Sequence, residues 1–437
     1  MKIAATEECG GRTSQVVHKS GLGGGQPNGV SGAHVANFVR CSLARTRDTR
    51  ARAGICLCLA LAAGLLACAP TPFAQAEIST VTPIDGPSSE IVELGSAAMA
   101  ADGTGGIVYR KRVEGRAHIF VAQYAEDKWN APRQVDTGEK FESSFPAIAA
   151  GEGGRLVAVW VNHYSSSTDG LFSATMDPGS TGFQPPVPVD LDIGQATGTY
   201  PSVAMNDSGQ ALVAYRVITA VSGPSTPSIP PGYVLDEIRM ARYNGQYWSS
   251  FGQPLNRNVA QAVPQPTALN SPQVGIDLSG EGLLAWQEPD ESFVNRIYAR
   301  RIFGMVPGNV LQVSPSTYDG HALNGAADEL SLDFTGFGEG AVAYRQEPSS
   351  GSGFSRASVF VSELPSSFNP KGAAFGPARP VAGSTSGEGP SEALGPISMA
   401  VDAEGGFDAG YAAGNESFDT SGAEDGVGSP VRLDQGS

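Results

Sequence analysis

Short apolar runs, separated by glycine-rich turns, recur along residues 77–437. In six segments a glycine stands six positions before a Tyr or Trp, and the residues between them are mostly small or apolar. The pairs are Gly103–Tyr109, Gly154–Trp160, Gly209–Tyr215, Gly280–Trp286, Gly338–Tyr344 and Gly405–Tyr411. A turn glycine followed by a continuous apolar run is typical of a strand that is covered on both faces.

Each repeat contains three further strand-like segments around this run. A segment of small residues such as FPAIAA (145–150) precedes it, and an alternating segment such as EIRMARY (237–243) follows. A last short segment such as FGPARPV (375–381) ends the repeat. Four strands recurring about every 60 residues predict an all-β chain, a six-bladed β-propeller of four-stranded blades. The terminal aromatic is expected to wedge between blades with its polar tip outward. The predicted repeats are about 94–143, 144–199, 200–270, 271–325, 326–388 and 389–437.

The last repeat looks incomplete in sequence. Strand-like segments lie at 397–401 and 406–412, and SPVRLD (429–434) is a candidate third strand, but no fourth follows. Before the first repeat, residues 77–93 contain an unassigned strand-like piece. We therefore expect this N-terminal strand to complete blade six and close the ring, which would remove two open sheet edges. The alternative is a chain that lacks further blades.

The N-terminal region carries export signals. Residues 55–67 form an apolar run, too short to span a bilayer, behind an arginine-rich segment. This predicts a leader and basic region at 1–54 and a signal-peptide core and cleavage region at 55–76. Leu65-Leu66-Ala67-Cys68 resembles a bacterial lipobox, which makes Cys68 the predicted lipidation site, whereas Ala74-Gln75-Ala76 fits ordinary secretory cleavage. Both routes predict a protein that is secreted or held on the outer face of the cell membrane. Whether residues 1–39 are translated stays open.

The net charge and the positions of the cysteines limit the classes of ligand and partner that the sequence predicts. The formal net charge of −16 argues against nucleic acid and against anionic membrane surfaces. We therefore expect membrane contact only through the lipid anchor, and a monomer. All five cysteines lie within the first 68 residues, and the three histidines beyond them have no metal-ligand spacing. The sequence predicts no metal and no cofactor.

The degenerate repeats over 77–437, behind a lipoprotein-like signal peptide, resemble secreted bacterial β-propellers of the sialidase-like type. In that family an Asp-box, S-x-D-x-G-x-T-W, lies between the third and fourth strands. Here Asp207-Ser208-Gly209 keeps D-x-G, but Leu212 stands at the Trp position and the turn lies between the first and second strands. The resemblance implies the propeller fold, and the altered motif argues against sialidase activity.

Three arginines directly follow the repeat aromatics: Arg110, Arg216 and Arg345, in repeats one, three and five. Converging guanidinium groups bind a carboxylate or sulfate well. The alternative is pairing with carboxylates such as Glu288 and Glu347 of the recurring QEP segments. These five residues are the candidate ligand-binding set, and no catalytic residue is assigned.

Two long loops, at about 217–235 and 256–271, are expected on one face of the third blade. They are either binding loops or tolerated insertions. The expected function is a non-catalytic binding or scaffold module at the cell envelope, with a glycan or an envelope protein as ligand. The alternative is a sialidase-like glycoside hydrolase or lyase.

Overall fold

The computed structural model describes most of the repeat region. Residues 1–82, with the predicted signal segment and Cys68, lie outside the described residues. Within the described part, no helix is long and apolar enough to cross a membrane. The described residues are 83–437 except 165–167, 195–199, 221–233, 258–270, 348–356, 366–373, 383–396, 403–405, 414–415, 424–425, 428–430 and 434–437.

The first three sheets are antiparallel and follow chain order. Sheet 1 contains β1 (Ile91–Met99), β2 (Gly105–Val113), β3 (Arg116–Ala125), β4 (Lys128–Trp129) and β5 (Arg133–Gln134). Sheet 2 contains β6 (Ser143–Gly151), β7 (Arg155–His163), β8 (Asp169–Met176) and β9 (Val187–Asp190), with a 3₁₀ turn at Glu152–Gly154 between its first two strands. Sheet 3 contains β10 (Ser202–Met205), β11 (Ala211–Ala220), β12 (Val234–Tyr243) and β13 (Trp248–Ser250).

The later sheets repeat this plan. Sheet 4 contains β14 (Gln273–Ile276), β15 (Gly282–Pro289), β16 (Asn295–Phe303), β17 (Val306–Pro307) and β18 (Leu311–Gln312). A hairpin of β19 (Thr317–Tyr318) and β20 (His321–Ala322) follows. Sheet 5 contains β21 (Ala327–Phe334), β22 (Gly340–Gln346), β23 (Ser358–Leu364) and β24 (Arg379–Ala382). Sheet 6 contains β25 (Ser398–Val401), β26 (Phe407–Ala413), β27 (Glu416–Ala423), β28 (Gly426–Val427) and β29 (Val431–Leu433). The all-β prediction and the antiparallel sheets of about four strands are confirmed.

The repeat glycines that the structure describes lie in the turns between the first and second strands, as predicted. Five of them fall within the described residues, and all five have positive φ, from 76° at Gly154 to 86° at Gly280. Left-handed backbone is open to glycine at little cost, because other residues bring Cβ close to the carbonyl oxygen. The fixed glycine of the repeat is therefore a requirement of the turn.

Five hydrophobic cores each lie between two consecutive sheets. Strand β7 shows how: Leu156 and Trp160 pack against sheet 1, whereas Val157 and Val161 pack against sheet 3. Both faces of the strand are covered, so the apolar run cannot alternate with polar residues. This is the physical origin of the pattern that opens each repeat.

The repeat aromatics are buried, but their polar tips do not point outward as expected. All six are at most 4% exposed. The Tyr215 hydroxyl donates to Asp190 Oδ2 at 2.8 Å, and Trp286 Nε1 donates to Glu288 Oε2 at 2.9 Å. A buried hydroxyl or indole N–H needs a partner inside the protein, and these side chains supply it.

The expected pairing of the N-terminal segment with the sixth sheet is wrong for residues 91–93, and residues 77–82 lie outside the described residues. Residues 91–99 form β1 and pair with β2, as the first strand of sheet 1. Sheet 6 takes its outer strands, β28 and β29, from its own repeat. SPVRLD contributes to β29, and the third strand is β27 instead. The polar sequence ESFDTSGA shows no alternation, which is why the pattern did not reveal it.

The first strands of successive sheets pack side by side, from β1 through β6, β10, β14 and β21 to β25. Side chains link neighbouring pairs: Ser96 Oγ accepts from the Ile148 amide at 3.0 Å, and Ser202 Oγ accepts from the Val274 amide at 3.1 Å. Glycine permits the close approach at Gly275, where a Cβ would stand 2.4 Å from Phe334 Cβ. The sheets therefore meet along their first strands.

Candidate functional site

A cavity of about 620 Å³ lies between the first strands of sheets 1 to 5, and we call it the axial cavity. Its wall is mostly small or apolar, because these strands are built from residues such as Ala97, Ala147 and Val203. Polar side chains are few: Ser96, Tyr200, Ser202, Ser271, Gln273 and Asp333. The accessible surface of the cavity is nevertheless more polar than apolar, and its volume lies in the range of small-molecule sites.

Tyr200 marks the end of the axial cavity where the first strands begin. Burial raises the pKa of its hydroxyl, and the nearby Glu93 carboxylate raises it further, against the opposing effect of Arg110. Phe145 packs edge-on against it, with ring centroids 4.7 Å apart. We call this end, with Tyr200 and the charged groups described next, the mouth.

Glu93 and Arg110 form the first charged pair at the mouth. They face each other in the register of β1 and β2, and Arg110 Nη1 lies 3.3 Å from Glu93 Oε2. Arg110 also reaches Glu142 at 4.0 Å. β1 has register shifts on both sides of Glu93. Such bulges re-aim a side chain and are frequent beside functional sites.

A second charged group lies around Glu329 in sheet 5. Glu329 has a φ of 52° within a bulge of β21, and only 6% of it is exposed. Burial raises the pKa of its carboxyl, although Arg345, 3.3 Å away, lowers it. Its Oε2 has no hydrogen-bond partner among the described residues. A non-glycine residue held at positive φ with a buried carboxyl is the kind of strained group found at functional sites.

Two of the predicted arginines are held by carboxylates of their own sheets. Arg110 pairs with Glu93, and Arg345 pairs with Asp328 at 2.9 Å and with Glu347 at 2.8 Å. For these two arginines the pairing alternative describes the structure. A guanidinium group that already pairs with a carboxylate has fewer N–H donors left for an added anion.

The other two predicted residues are inside the protein. Arg216 and Glu288 are each 1% exposed. Glu288 Oε2 accepts hydrogen bonds from Trp286 Nε1 and, at 2.8 Å, from the Arg257 amide. Neither side chain offers surface to a dissolved ligand. Arg110, Arg216 and Arg345 therefore do not form a surface cluster of free guanidinium groups.

Sequence reasoning missed Glu93, Tyr200 and Glu329. Glu93 stands in EIVELG, which was assigned to another blade, and Tyr200 precedes a short strand with no charged motif. Glu329 owes its orientation to a bulge, which follows from how β21 fits its neighbours. One signal could have been found from strand register. In two repeats a carboxylate on the first strand lies opposite the arginine that follows the aromatic, as in Glu93–Arg110 and Asp328–Arg345.

The two long loops of the third repeat lie mostly outside the described residues. β11 continues to Ala220 and β12 resumes at Val234, so the ends of the predicted loop 217–235 are strand. Only the first two residues and the last residue of 256–271 are described. Among the described residues, no group of three His, Cys, Asp or Glu side chains could hold a metal ion.

Comparisons with known proteins give weak likenesses. No family model and no curated protein matches the chain. A Dyadobacter fermentans protein of unknown function has a TM-score of 0.40 and 13% identity, covering 68% of this chain and 84% of its own. The Hadza microbial sialidase Hz136 has a TM-score of 0.37 and 12% identity, covering 73% and 63%. AofleA from Arthrobotrys oligospora has a TM-score of 0.41 and 8% identity, covering 80% and 88%. These values are too low for an inference about activity.

Proposed function

We propose that this chain is an exported six-bladed propeller that binds a neutral carbohydrate at the mouth of the axial cavity. The observation that carries the proposal is the cavity itself, enclosed by the first strands of five sheets. Support for the propeller comes from the order of the sheets and from the five cores between consecutive pairs. In a closed ring, sheet 6 would pack against sheet 1 as each other pair does.

Charge at the mouth favours a neutral ligand over an anion. Two carboxylates, Glu93 and Glu142, lie beside Arg110, and three, Asp328, Glu329 and Glu347, lie beside Arg345. An excess of negative charge repels a carboxylate or sulfate ligand. Carboxylates instead accept hydrogen bonds from sugar hydroxyls, amides and hydroxyls both accept and donate, and Tyr200 adds an aromatic face. A neutral glycan matches this set of groups.

Filling the axial cavity tests the proposal. Ala97 lines the cavity and is exposed to it, so Ala97→Phe should block a ligand without disturbing a core. Ala322→Phe, at an exposed alanine in the β19–β20 hairpin, is the matched control. Glycan microarrays followed by calorimetry on neutral and acidic oligosaccharides should show binding by wild type and the control, and loss in Ala97→Phe.

The outcomes of this experiment separate the ligand classes. Binding that is unchanged by Ala97→Phe would place the ligand elsewhere and refute the cavity assignment. Preference for acidic glycans would contradict the charge argument. Failure of the wild-type chain to bind any glycan would favour the envelope protein as ligand, tested by cross-linking on intact cells.

A glycoside hydrolase or lyase is the second candidate, and Glu329 favours it. Glycosidases use one carboxyl with a raised pKa as acid and one ionised carboxylate. Glu329 has the raised pKa, and its carboxylate neighbours Asp328 and Glu347 share the Arg345 guanidinium with it. Turnover of fluorogenic glycosides should then fall at least about 100-fold in Glu329→Gln. Glu339→Gln is the control, because Glu339 lies at the opposite end of sheet 5.

Export is part of the same proposal and rests on the sequence. A lipid on Cys68 would hold the propeller on the outer face of the membrane, and cleavage after Ala76 would release it. Mass spectrometry of the mature protein distinguishes the two, since only the lipoprotein begins at a diacylglyceryl cysteine. Cys68→Ala should abolish membrane association in the first case and change nothing in the second. Light scattering tests the expected monomer.

A further inference from the structure

Ser144, His163 and Asp169 form a hydrogen-bonded chain in sheet 2, beside the mouth. Ser144 Oγ lies 2.6 Å from His163 Nε2, and His163 Nδ1 lies 2.9 Å from Asp169 Oδ1. The three residues come from three neighbouring strands, β6, β7 and β8. His163 and Asp169 are direct partners in the register of β7 with β8, and Ser144 lies on the neighbouring strand β6, so strand register brings the three side chains together.

The carboxylate fixes the proton arrangement of this chain. An ionised Asp169 only accepts hydrogen bonds, so His163 must carry its proton on Nδ1. In the neutral imidazole Nε2 is then the acceptor, and the Ser144 hydroxyl donates to it. This is the connectivity that a histidine needs to take a proton from a serine nucleophile while a carboxylate stabilises the resulting cation.

A neighbouring trio shows that these residue types alone do not give this connectivity. Ser143 Oγ lies 2.7 Å from Asp136 Oδ2 and 2.8 Å from Asn162 Oδ1, whereas His118 Nδ1 lies 3.0 Å from Asp136. Here the serine and the histidine both bond to the carboxylate, and the serine does not reach the imidazole. That trio therefore serves as an internal control.

The backbone after Ser144 is strained. Phe145 has a φ of 51° and has no register partner in the pairing of β6 with β7, where the register shifts between Ser144 and Ala147. In serine hydrolases the amide of the residue after the nucleophile often binds the oxyanion. In this chain that amide belongs to Phe145, whose ring lies between His163 and Tyr200. The trio is thus one aromatic ring away from the axial cavity.

We propose that Ser144, His163 and Asp169 hydrolyse small acyl esters. His163 keeps 33% of its side chain exposed, which opens one side of the trio to solvent. Ser144 is only 2% exposed, so we expect a substrate to reach its Oγ only past the exposed side of His163, which favours small acyl groups such as acetyl. The carboxylate of Asp169 is 6% exposed and holds the imidazole from behind. This activity stands apart from glycan binding at the mouth and does not depend on it.

The reaction balances without a cofactor. Ser144 Oγ attacks the ester carbonyl carbon while its proton passes to His163 Nε2. The carbon–oxygen bond to the alcohol breaks, and the alcohol leaves with the proton from Nε2. Water then attacks the acyl-serine and gives a proton to Nε2. The acyl group leaves as a carboxylic acid, and the proton returns to Ser144.

Labelling of the wild-type full chain is the primary test. A fluorophosphonate probe should modify Ser144, as located by peptide mass spectrometry, and p-nitrophenyl acetate should be hydrolysed faster than p-nitrophenyl octanoate. Ser144→Ala should lose both signals, and Ser143→Ala should keep them. His163→Gln should lower hydrolysis at least about 100-fold. Asp169→Asn should lower it comparably, since an amide favours the wrong tautomer.

The labelling result separates catalysis from a structural role, because only a serine that His163 activates should react with the fluorophosphonate probe. Absence of label on Ser144 in the folded wild-type protein would overturn the proposal, whatever the variants do. Equal labelling of Ser143 and Ser144, or labelling that persists in His163→Gln, would overturn it as well.

Discussion

Replacing equivalent turn glycines by alanine should destabilise the protein by different amounts. Gly103 and Gly280 occupy the same repeat position, with φ of 78° and 86°. At Gly103 a Cβ would meet nothing within 4 Å. At Gly280 it would stand 2.2 Å from Gln210 Oε1 and 2.4 Å from Arg242 Nη2. The pair therefore separates backbone strain from loss of neighbouring interactions.

The magnitudes follow from these surroundings. Alanine in left-handed backbone costs about 1–2 kcal/mol, and Gly103→Ala should lose that amount alone. In Gly280→Ala, Arg242 must also move, and it donates to the Gly280 carbonyl at 2.5 Å and to Gln210 Oε1 at 3.3 Å. A hydrogen bond from a charged group contributes about 1.5–3 kcal/mol. The total for Gly280→Ala is thus about 2.5–5 kcal/mol.

Equilibrium urea unfolding, followed by tryptophan fluorescence with a shared m-value, measures both variants against wild type. The difference between them should be about 2 kcal/mol, because the backbone strain is common to both. Costs that agree within about 0.5 kcal/mol would refute the role of Arg242. No measurable cost in either variant would refute the positive-φ explanation of the repeat glycine.

Three further predictions concern buried polar groups. Tyr215→Phe removes the donor to Asp190 and should cost about 1–2 kcal/mol in urea unfolding. Burial raises the pKa of Asp333 above its ordinary 3.8, so the folded state binds this proton more tightly and loses stability as pH rises through that window. Asp333→Asn should remove this contribution, seen as a flatter pH dependence of the unfolding free energy from pH 4 upward. Arg345→Leu leaves carboxylates such as Glu329 without their cation, and its thermal midpoint should fall more at pH 7 than at pH 4.5.

The repeat architecture could be predicted from sequence because its signals are local. The spacing from Gly280 to Trp286 predicts a turn with a glycine in left-handed backbone, followed by a strand that is covered on both faces. Each such signal depends on residues a few positions apart, and it recurs because every sheet meets the same neighbours. The third strand of sheet 6 escaped prediction because ESFDTSGA lacks the alternation that other third strands show.

The candidate sites depended on the tertiary structure. Arg110, Arg216 and Arg345 share one sequence position, yet two are held by carboxylates and the third is buried. Partner identity is decided by which strands become neighbours and in which register, and the pattern of one strand does not contain that information. What each of these arginines can do therefore depends on the residue with which it pairs.

What the sequence determined by itself is the period of the chain, the buried strand of each repeat and the turn before it. Only the tertiary structure decided where β1 pairs, which side chains meet at the mouth, and that Ser144 reaches His163. The physical reason is the distance along the chain over which each interaction acts. Turn preference and hydrophobic periodicity act between near neighbours along the chain, whereas bulges, cavities and hydrogen-bonded trios depend on how separate strands pair and pack.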